Sequence, residues 1–187
     1  MTTAGFFDNK LLLAMPIMAD PRFERSVIYM CSHDESGAMG LVVNSAIEQL
    51  SFEALLEQLS IDTAGPIPDV AVHAGGPVEP GRGFVLHSAD FVQESTLIVS
   101  QTLALTATVD ILKALAEGKG PMHHLLALGY AGWGAGQLER EIQENAWMIA
   151  EPDDEILFYT ELDLKWPRAM AMLGVDVAML SSDAGHS

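Results

Sequence analysis

The sequence predicts a mixed α/β (α+β) protein with roughly nine strands and about four helices in a single domain, residues 1–187. Three observations indicate this class. Short apolar runs bounded by Gly, Pro and Asp recur along the chain, as is typical of strands. Between them, apolar residues recur at the i, i+3, i+4 spacing of amphipathic helices. With 187 residues, 49% of them hydrophobic, the chain is long enough for one well-filled core.

The first half of the chain predicts an antiparallel strand pair followed by a helix. A turn at residues 33–37 joins the pair, and Ser51 is a helix cap before an amphipathic helix that ends near Ser60. Residues Ile61–Asp69 contain one Gly and two Pro and are predicted to form a mobile loop. The strands predicted here are Lys10–Met15, Ser26–Ser32, Gly40–Val43, Val70–Ala74 and Gly83–His87.

The second half is organised around residues 125–147. An apolar run that ends at Tyr130 predicts a central strand, and Gly129, Gly132, Gly134 and Gly136 are then expected to turn the chain into a helix that begins near Gln137. The other helices predicted here are Val109–Glu117, capped by Thr108, and a last one around Trp166–Leu173, with Pro167 in its first turn and Gly174 as its stop. The other strands predicted here are Leu97–Gln101, Ala146–Ala150 and Ile156–Thr160.

Charge and cysteine content restrict the function classes. The 26 acidic and 9 basic side chains give a net charge of −17, which repels nucleic acid and anionic membranes and favours partners with a basic or neutral surface. The apolar stretch Leu11–Met18 is short, contains Pro16 and follows Asp8, so it predicts neither a signal peptide nor a membrane span. One cysteine, Cys31, excludes an internal disulfide framework and favours the cytoplasm.

Cys31 and His33 are the first candidates for chemistry. Two residues apart in a strand, they are expected to project to the same face, where a thiolate–imidazole pair is conceivable. The apolar run around Cys31 favours a buried, structural thiol with a raised pKa. For His33, stabilisation of the following turn is the simpler expectation.

The other histidines do not predict a metal site. His123 and His124 are adjacent and point to opposite faces of a strand. His73 and His87 could converge with His33 in the folded sheet, although polar satisfaction of nearby turns is the more ordinary role. No metal and no cofactor are predicted.

Two glycine-containing turns are candidate binding elements. Gly75 and Gly76 precede Arg82, for which an internal charge partner is the favoured interpretation and anion binding the alternative. The run GWGAG around Trp133 matches neither nucleotide-binding glycine motif. Trp133 is interpreted as a core residue or, as the alternative, an exposed binding anchor.

Gln137, Glu141 and Asn145 recur at four-residue steps along the helix after this run. In one interpretation Gln137 satisfies free backbone groups at the start of the helix and Asn145 helps to end it. In the other, the stripe faces a cleft and binds a polar ligand or peptide. Residues 137–163 hold nine acids and one base, a net charge of −8, which favours a solvated acidic surface or docking of a basic protein.

Several long blocks together resemble the YqgE/AlgH family of bacterial proteins. They are DPRFERSVIYMCSHDESGAMGLVVN, GGPVEPGRGFVLH, LGYAGWGAGQLEREIQENAW and LGVD near the C-terminus. The resemblance implies a mixed, largely antiparallel sheet partly curled into a barrel, with flanking helices, in a cytosolic protein. Members are often labelled transcriptional regulators, and the resemblance does not assign a biochemical activity.

Three functional hypotheses follow. The favoured one is a regulatory or scaffolding protein that binds a protein partner or a small ligand and acts on transcription indirectly if at all. The second is a hydrolase-type enzyme that uses the neighbourhood of Cys31, His33 and His87. The third, direct DNA binding, is disfavoured by the charge.

Overall fold

A computed structural model describes residues 6–16, 20–63 and 65–175, and the α+β class is confirmed within them. Every strand pair in these ranges is antiparallel except one. The strands are β1 (Leu11–Ala14), β2 (Val27–Asp34), β3 (Gly37–Val42), β4 (Val72–Ala74), β5 (Val78–Ser88), β6 (Leu97–Ile98), β7 (Leu103–Thr106), β8 (His124–Gly134) and β9 (Trp147–Ala150). The helices are α1 (Phe52–Gln58), α2 (Val109–Ala116), α3 (Gln137–Gln143), α4 (Asp154–Phe158) and α5 (Leu162–Met172), with a short 3-10 helix at Pro21–Phe23.

The chain divides into two compact units, and the first consists of Met1–Asn44 and Ala131–Ser187. Its strands lie in the order β8, β3, β2, β1, β9, with β8 contributing its last residues. All four residues of β1 are buried, because β1 is hydrogen-bonded between β2 and β9 and covered on its faces. Apolar side chains from β1, β2, β8, α3 and β9 form its core.

The second unit is Ser45–Tyr130. Its strands lie in the order β6, β7, β5, β8, β4, and the pairing of β4 with β8 is the parallel one. Ser51 caps α1 as predicted, since its hydroxyl accepts the backbone N–H of Ala54. Helices α1 and α2 bury their apolar faces against this sheet.

One predicted strand is wrong. Helix α4, Asp154–Phe158, includes the first three residues of the predicted strand Ile156–Thr160. The side chain of Asp153 accepts the N–H groups of Glu155 and Ile156, and two acidic residues follow in the first turn. This cap and acidic first turn are a helix-start signal that outweighs the β-branched and aromatic residues after it.

The glycine-rich turn is shorter than predicted. Gly132 and Gly134 lie inside β8, where they pair with Met39 and Gly37 of β3. Hydrogen bonding to a neighbouring strand here overrides the low strand propensity of glycine. The turn itself is limited to residues 135–136, and Gly136 has a φ of 73° immediately before α3.

The remaining differences concern element ends. The predicted strand Leu97–Gln101 is limited to β6, and the buried strand β7, which was not predicted, follows it. Pro167 lies in the second turn of α5 rather than in the first. Its missing N–H leaves the carbonyl of Asp163 without a helical partner, and Asp163 is exposed, so water can bind that carbonyl.

Two predictions lie partly outside the described residues. These are the end of the apolar stretch Leu11–Met18 and the end of the LGVD block, at Asp176. Residues 61–63 and 65–69 contain neither helix nor strand, as predicted, while their mobility stays a prediction. Across the described ranges, no helix has the length and apolar character needed to cross a membrane.

Candidate functional site

Cys31 lies in the buried part of β2. The residue is 3% exposed, and its Sγ is 3.8 Å from the carbonyl oxygen of Tyr29. Burial raises the pKa of Cys31 to about 12. The thiol is therefore protonated near neutral pH and shielded from reagents.

We expect iodoacetamide to modify Cys31 slowly in the native protein at pH 7.5, because the reactive thiolate is rare and inaccessible. Mass spectrometry of native protein and of protein unfolded in urea measures the difference, with the unfolded sample as the control. Cys31→Ala should lower the free energy of unfolding by roughly 1 kcal/mol through lost packing. Labelling of the native protein as fast as that of the unfolded chain would contradict the structural role.

His33 does not stabilise the turn that follows it, contrary to the prediction. The side chain of Asp34 holds that turn by accepting the N–H and the hydroxyl of Ser36. The imidazole of His33 instead accepts the backbone N–H of Phe7 at Nδ1, at 2.8 Å. Its Nε2 lies 3.2 Å from Oε2 of Glu139 on α3. No local sequence pattern predicts this pairing between β2 and α3.

Glu141 is the hub of a polar cluster on α3. Its Oε1 accepts the indole N–H of Trp133 at 3.1 Å and that of Trp147 at 2.9 Å. Its Oε2 accepts the side-chain amide of Gln137 at 2.9 Å, and Oε1 of Gln137 accepts the backbone N–H of Gly134. The side chains of Gln137 and Glu141 are thus bonded within their own unit. Trp133 is a core residue, 7% exposed.

Asn145 ends α3, as expected for the helix-end role. It has a φ of 65°, the left-handed conformation in which asparagine is favoured among non-glycine residues, and its N–H bonds to the carbonyl of Ile142. Ligand binding by Gln137, Trp133 and Asn145 stays a prediction.

Lys165 is a buried lysine on α5 that bonds to backbone carbonyls, and its role was not predicted. Its Nζ donates to the carbonyls of Val43 and Leu157, both at 2.8 Å. Leu157 lies in the last turn of α4, where carbonyls lack helical partners, so the ammonium caps that helix. Burial lowers the pKa of Lys165 to about 8. A sequence signal for this burial was available: Lys165 lies four residues before the buried Ala169, which places both on the same side of α5.

In the second unit, His87 is fully buried within a chain of hydrogen bonds. Its Nδ1 must donate to the carbonyl of Ser88, at 2.7 Å, so the neutral ring accepts the Thr106 hydroxyl at Nε2, at 2.8 Å. Thr106 in turn accepts from Thr96, whose hydroxyl accepts the N–H of Gln93. Burial lowers the pKa of His87. His87 therefore bonds within the sheet and does not satisfy a turn, which was the predicted role.

His73 and His124 also lie in the sheet. His73 on β4 contacts the carbonyl of Leu126 through Nδ1 at 2.9 Å, and His124 pairs with His87 across β8 and β5. Within residues 6–16, 20–63 and 65–175, no three His, Cys, Asp or Glu side chains are grouped as a metal site would require.

The Gly75–Gly76 turn packs on a glycine of β8. Gly129 has a φ of 78°, and a Cβ there would lie 2.4 Å from the carbonyl oxygen of Gly76, so only glycine fits. Arg82 forms a long, exposed ion pair of 3.8 Å with Glu79, and its guanidinium lies 5.0 Å from the ring centroid of Phe84. Such an exposed pair contributes little to stability. Binding by Gly75, Gly76 and Arg82 stays a prediction.

Known proteins resemble this chain along its whole length. The AlgH-like family model matches residues 11–178. The chain is 54% identical to the UPF0301 protein RHOS4_26140 of Cereibacter sphaeroides, over 96% of this chain and 98% of that protein. It is 50% identical to the UPF0301 protein blr1492 of Bradyrhizobium diazoefficiens, over 100% of this chain and 91% of that protein.

Solved structures share the fold. The solution structure of the AlgH protein from Pseudomonas aeruginosa has a TM-score of 0.81 and 41% identity, covering 100% of this chain and 99% of that one. Protein DIP2367 from Corynebacterium diphtheriae has a TM-score of 0.69, with 89% of this chain and 86% of that chain covered; at 22% identity it shows the fold alone. The resemblance noted in the sequence blocks is confirmed, and the chain belongs to the AlgH-like family.

Proposed function

We propose that this protein acts by binding a protein partner that has a basic surface. The observation that carries the proposal is the acidic segment, defined as residues 144–163 of the first unit. Six acidic residues of this segment are exposed: Glu144, Glu151, Asp154, Glu155, Glu161 and Asp163. A concentration of negatively charged carboxylates attracts a positively charged partner and repels nucleic acid.

The arrangement of the reactive groups supports binding over hydrolysis. Cys31 is buried and protonated, and His87 is fully buried with both ring nitrogens bonded. A hydrolase needs a nucleophile and a base within reach of a substrate. An effect on transcription would then be indirect, through the bound protein.

The test is a pull-down from cells that naturally express the protein. It compares the wild-type protein with a variant in which acidic residues of the segment are neutralised. The variant carries Glu144→Gln, Asp154→Asn, Glu161→Gln and Asp163→Asn, and all four of these residues are exposed. Asp153, whose side chain caps α4, and Glu151, which pairs with Lys10, are left unchanged. We expect at least a tenfold loss of the captured protein, measured by quantitative mass spectrometry.

A matched control neutralises four exposed acids of the second unit: Glu53, Glu57, Asp110 and Glu117. Its overall charge equals that of the test variant, so it separates the acidic segment from net charge. Capture should survive in the control and weaken in the wild type as salt rises from 50 to 300 mM. Equal loss in both variants, or capture that disappears after nuclease treatment, would overturn the proposal.

A further inference from the structure

Strand β6 lies at one end of the strand order in the second unit. Its residues Leu97 and Ile98 pair with Leu105 and Ala104 of β7, and no other strand among the described residues pairs with it. All four residues of β7 are buried, because β7 lies between β6 and β5, whereas both residues of β6 are exposed. The outer side of β6 is therefore an open edge of the sheet.

The backbone hydrogen-bonding groups of Ile98 face this open edge. The N–H of Val99 donates to the carbonyl of Leu103 at the start of β7, at 3.1 Å. Since successive residues of a strand direct their backbone groups to alternate sides, the N–H and carbonyl of Ile98 point away from β7. Two residues directly opposite each other in an antiparallel pair exchange both of these bonds. Ile98 can therefore pair with the same residue of a second copy across a two-fold axis.

The side chains around this edge are apolar. Four large apolar residues here are each between 44% and 61% exposed: Val92, Leu97, Ile98 and Val109. The two valines lie in adjoining segments, because the hydroxyl of Thr108 donates to the side-chain oxygen of Gln93 at 2.9 Å. Exposed apolar residues that are grouped in this way are typical of a surface that another protein covers.

The stretch that contains the edge carries no charge. Residues 95–109 lack Asp, Glu, Lys and Arg, in a chain with 26 acidic and 9 basic side chains. They also lack proline, so this stretch has neither the lysine nor the proline that often protects an open edge from pairing. A basic partner of the kind proposed for the acidic segment would meet no carboxylate on this stretch. Two copies of the chain, although each has a net charge of −17, would meet here without opposed charges.

We propose that two copies of this protein associate through β6. The two strands run antiparallel about a two-fold axis at Ile98, which exchanges two backbone hydrogen bonds with its counterpart. The apolar side chains beside the strand in each copy cover those of the other and remove them from water. Because a two-residue strand offers few hydrogen bonds, the dimer is weak and forms at high protein concentration.

Sedimentation equilibrium of the purified wild-type protein tests the association. The average mass should rise from the monomer value of 20.1 kDa toward twice that value as the concentration increases from about 5 to about 500 μM. Raising the salt concentration from about 50 to about 300 mM should strengthen the dimer at least threefold, because salt screens the repulsion between two acidic molecules. Binding of a basic partner to the acidic segment has the opposite salt dependence. The isolated protein suffices for this test, so its outcome is independent of that partner.

Two substitutions at the edge should weaken the dimer at least tenfold. Ile98→Pro removes the N–H that faces the open side and leaves the bonds to β7 intact, as proline on an edge strand allows. Ile98→Lys places a charge on each copy at the two-fold axis. The matched control is Met122→Lys, which changes the net charge equally at a residue that is 76% exposed on the loop before β8. It should dimerise like the wild type.

Hydrogen exchange of the wild-type protein provides a measurement that needs no variant. The Ile98 amide should exchange at least threefold more slowly at about 500 μM than at about 5 μM, because the dimer protects it. This measurement decides if circular dichroism shows that the Ile98 variants do not fold. A monomer mass at every concentration, an Ile98 amide that ignores concentration, or an equal loss in Met122→Lys would overturn the proposal.

Discussion

Replacing Lys165 by Ala is expected to lower the free energy of unfolding by roughly 3 kcal/mol at pH 7. The change removes the donor that serves the carbonyls of Val43 and Leu157, and it leaves a void where the buried aliphatic stem packs. Urea unfolding followed by tryptophan fluorescence measures the change. Lys165→Met fills most of the void but restores neither hydrogen bond, so its loss should be smaller.

The matched control is Arg168→Ala, an exposed basic residue on the same helix. It should change the free energy of unfolding by no more than about 0.5 kcal/mol. An equal loss in Arg168→Ala, or no loss in Lys165→Ala, would show that the buried ammonium is not what links α4, α5 and the end of β3.

The same lysine couples stability to pH. Its pKa falls from 10.5 to about 8 on folding, so between these values the unfolded chain binds more protons than the folded one. The contribution of Lys165 to the free energy of unfolding therefore rises with pH across this window, by up to about 3 kcal/mol. Cys31 acts oppositely, because its raised pKa makes the folded chain retain a proton. The difference between wild type and Lys165→Met, measured from pH 7.5 to 9.5, isolates the lysine and should grow with pH.

Glu141→Ala is the second change with a large expected effect, a loss of roughly 3 kcal/mol. It removes the acceptor of two indole N–H groups, and Trp133 and Trp147 are 7% and 3% exposed, so neither N–H can turn to bulk water. Near-ultraviolet circular dichroism should also change, because the two rings form an edge-to-face pair with centroids 6.0 Å apart. Urea unfolding gives the energy.

Two further variants separate the effect of the hydrogen bonds to Glu141 from the general effect of a substitution in α3. Gln143→Ala, on the exposed side of α3, should change stability by about 0.5 kcal/mol or less. Glu141→Gln keeps one oxygen for the indoles but turns an amide toward Gln137, so it should lie between wild type and Glu141→Ala. If Glu141→Ala unfolds like Gln143→Ala, the three hydrogen bonds to Glu141 do not stabilise the fold.

Local sequence signals predicted the elements whose causes are local. Ser51 caps α1 through a bond that reaches three residues along the chain, and Gly136 and Gly174 adopt positive φ next to helix ends. The strands around Cys31 and Leu125 were predicted from unbroken apolar runs, which strands buried on both faces require. The helix at 154–158 was also signalled locally, by Asp153 and the acidic turn after it, although the strand residues that follow favoured the wrong interpretation.

By itself, the sequence determined the α+β class, the net negative charge and the buried state of Cys31, because composition, periodicity and adjacent residues specify each of these. The family was indicated by the resemblance of several long sequence blocks. The tertiary structure decided which side chains meet: His33 with Phe7 and Glu139, Glu141 with two tryptophans, and Lys165 with Val43. These partners are separated by up to 122 residues. A hydrogen bond over that separation depends on strand order and register, which only the packing of the whole unit establishes.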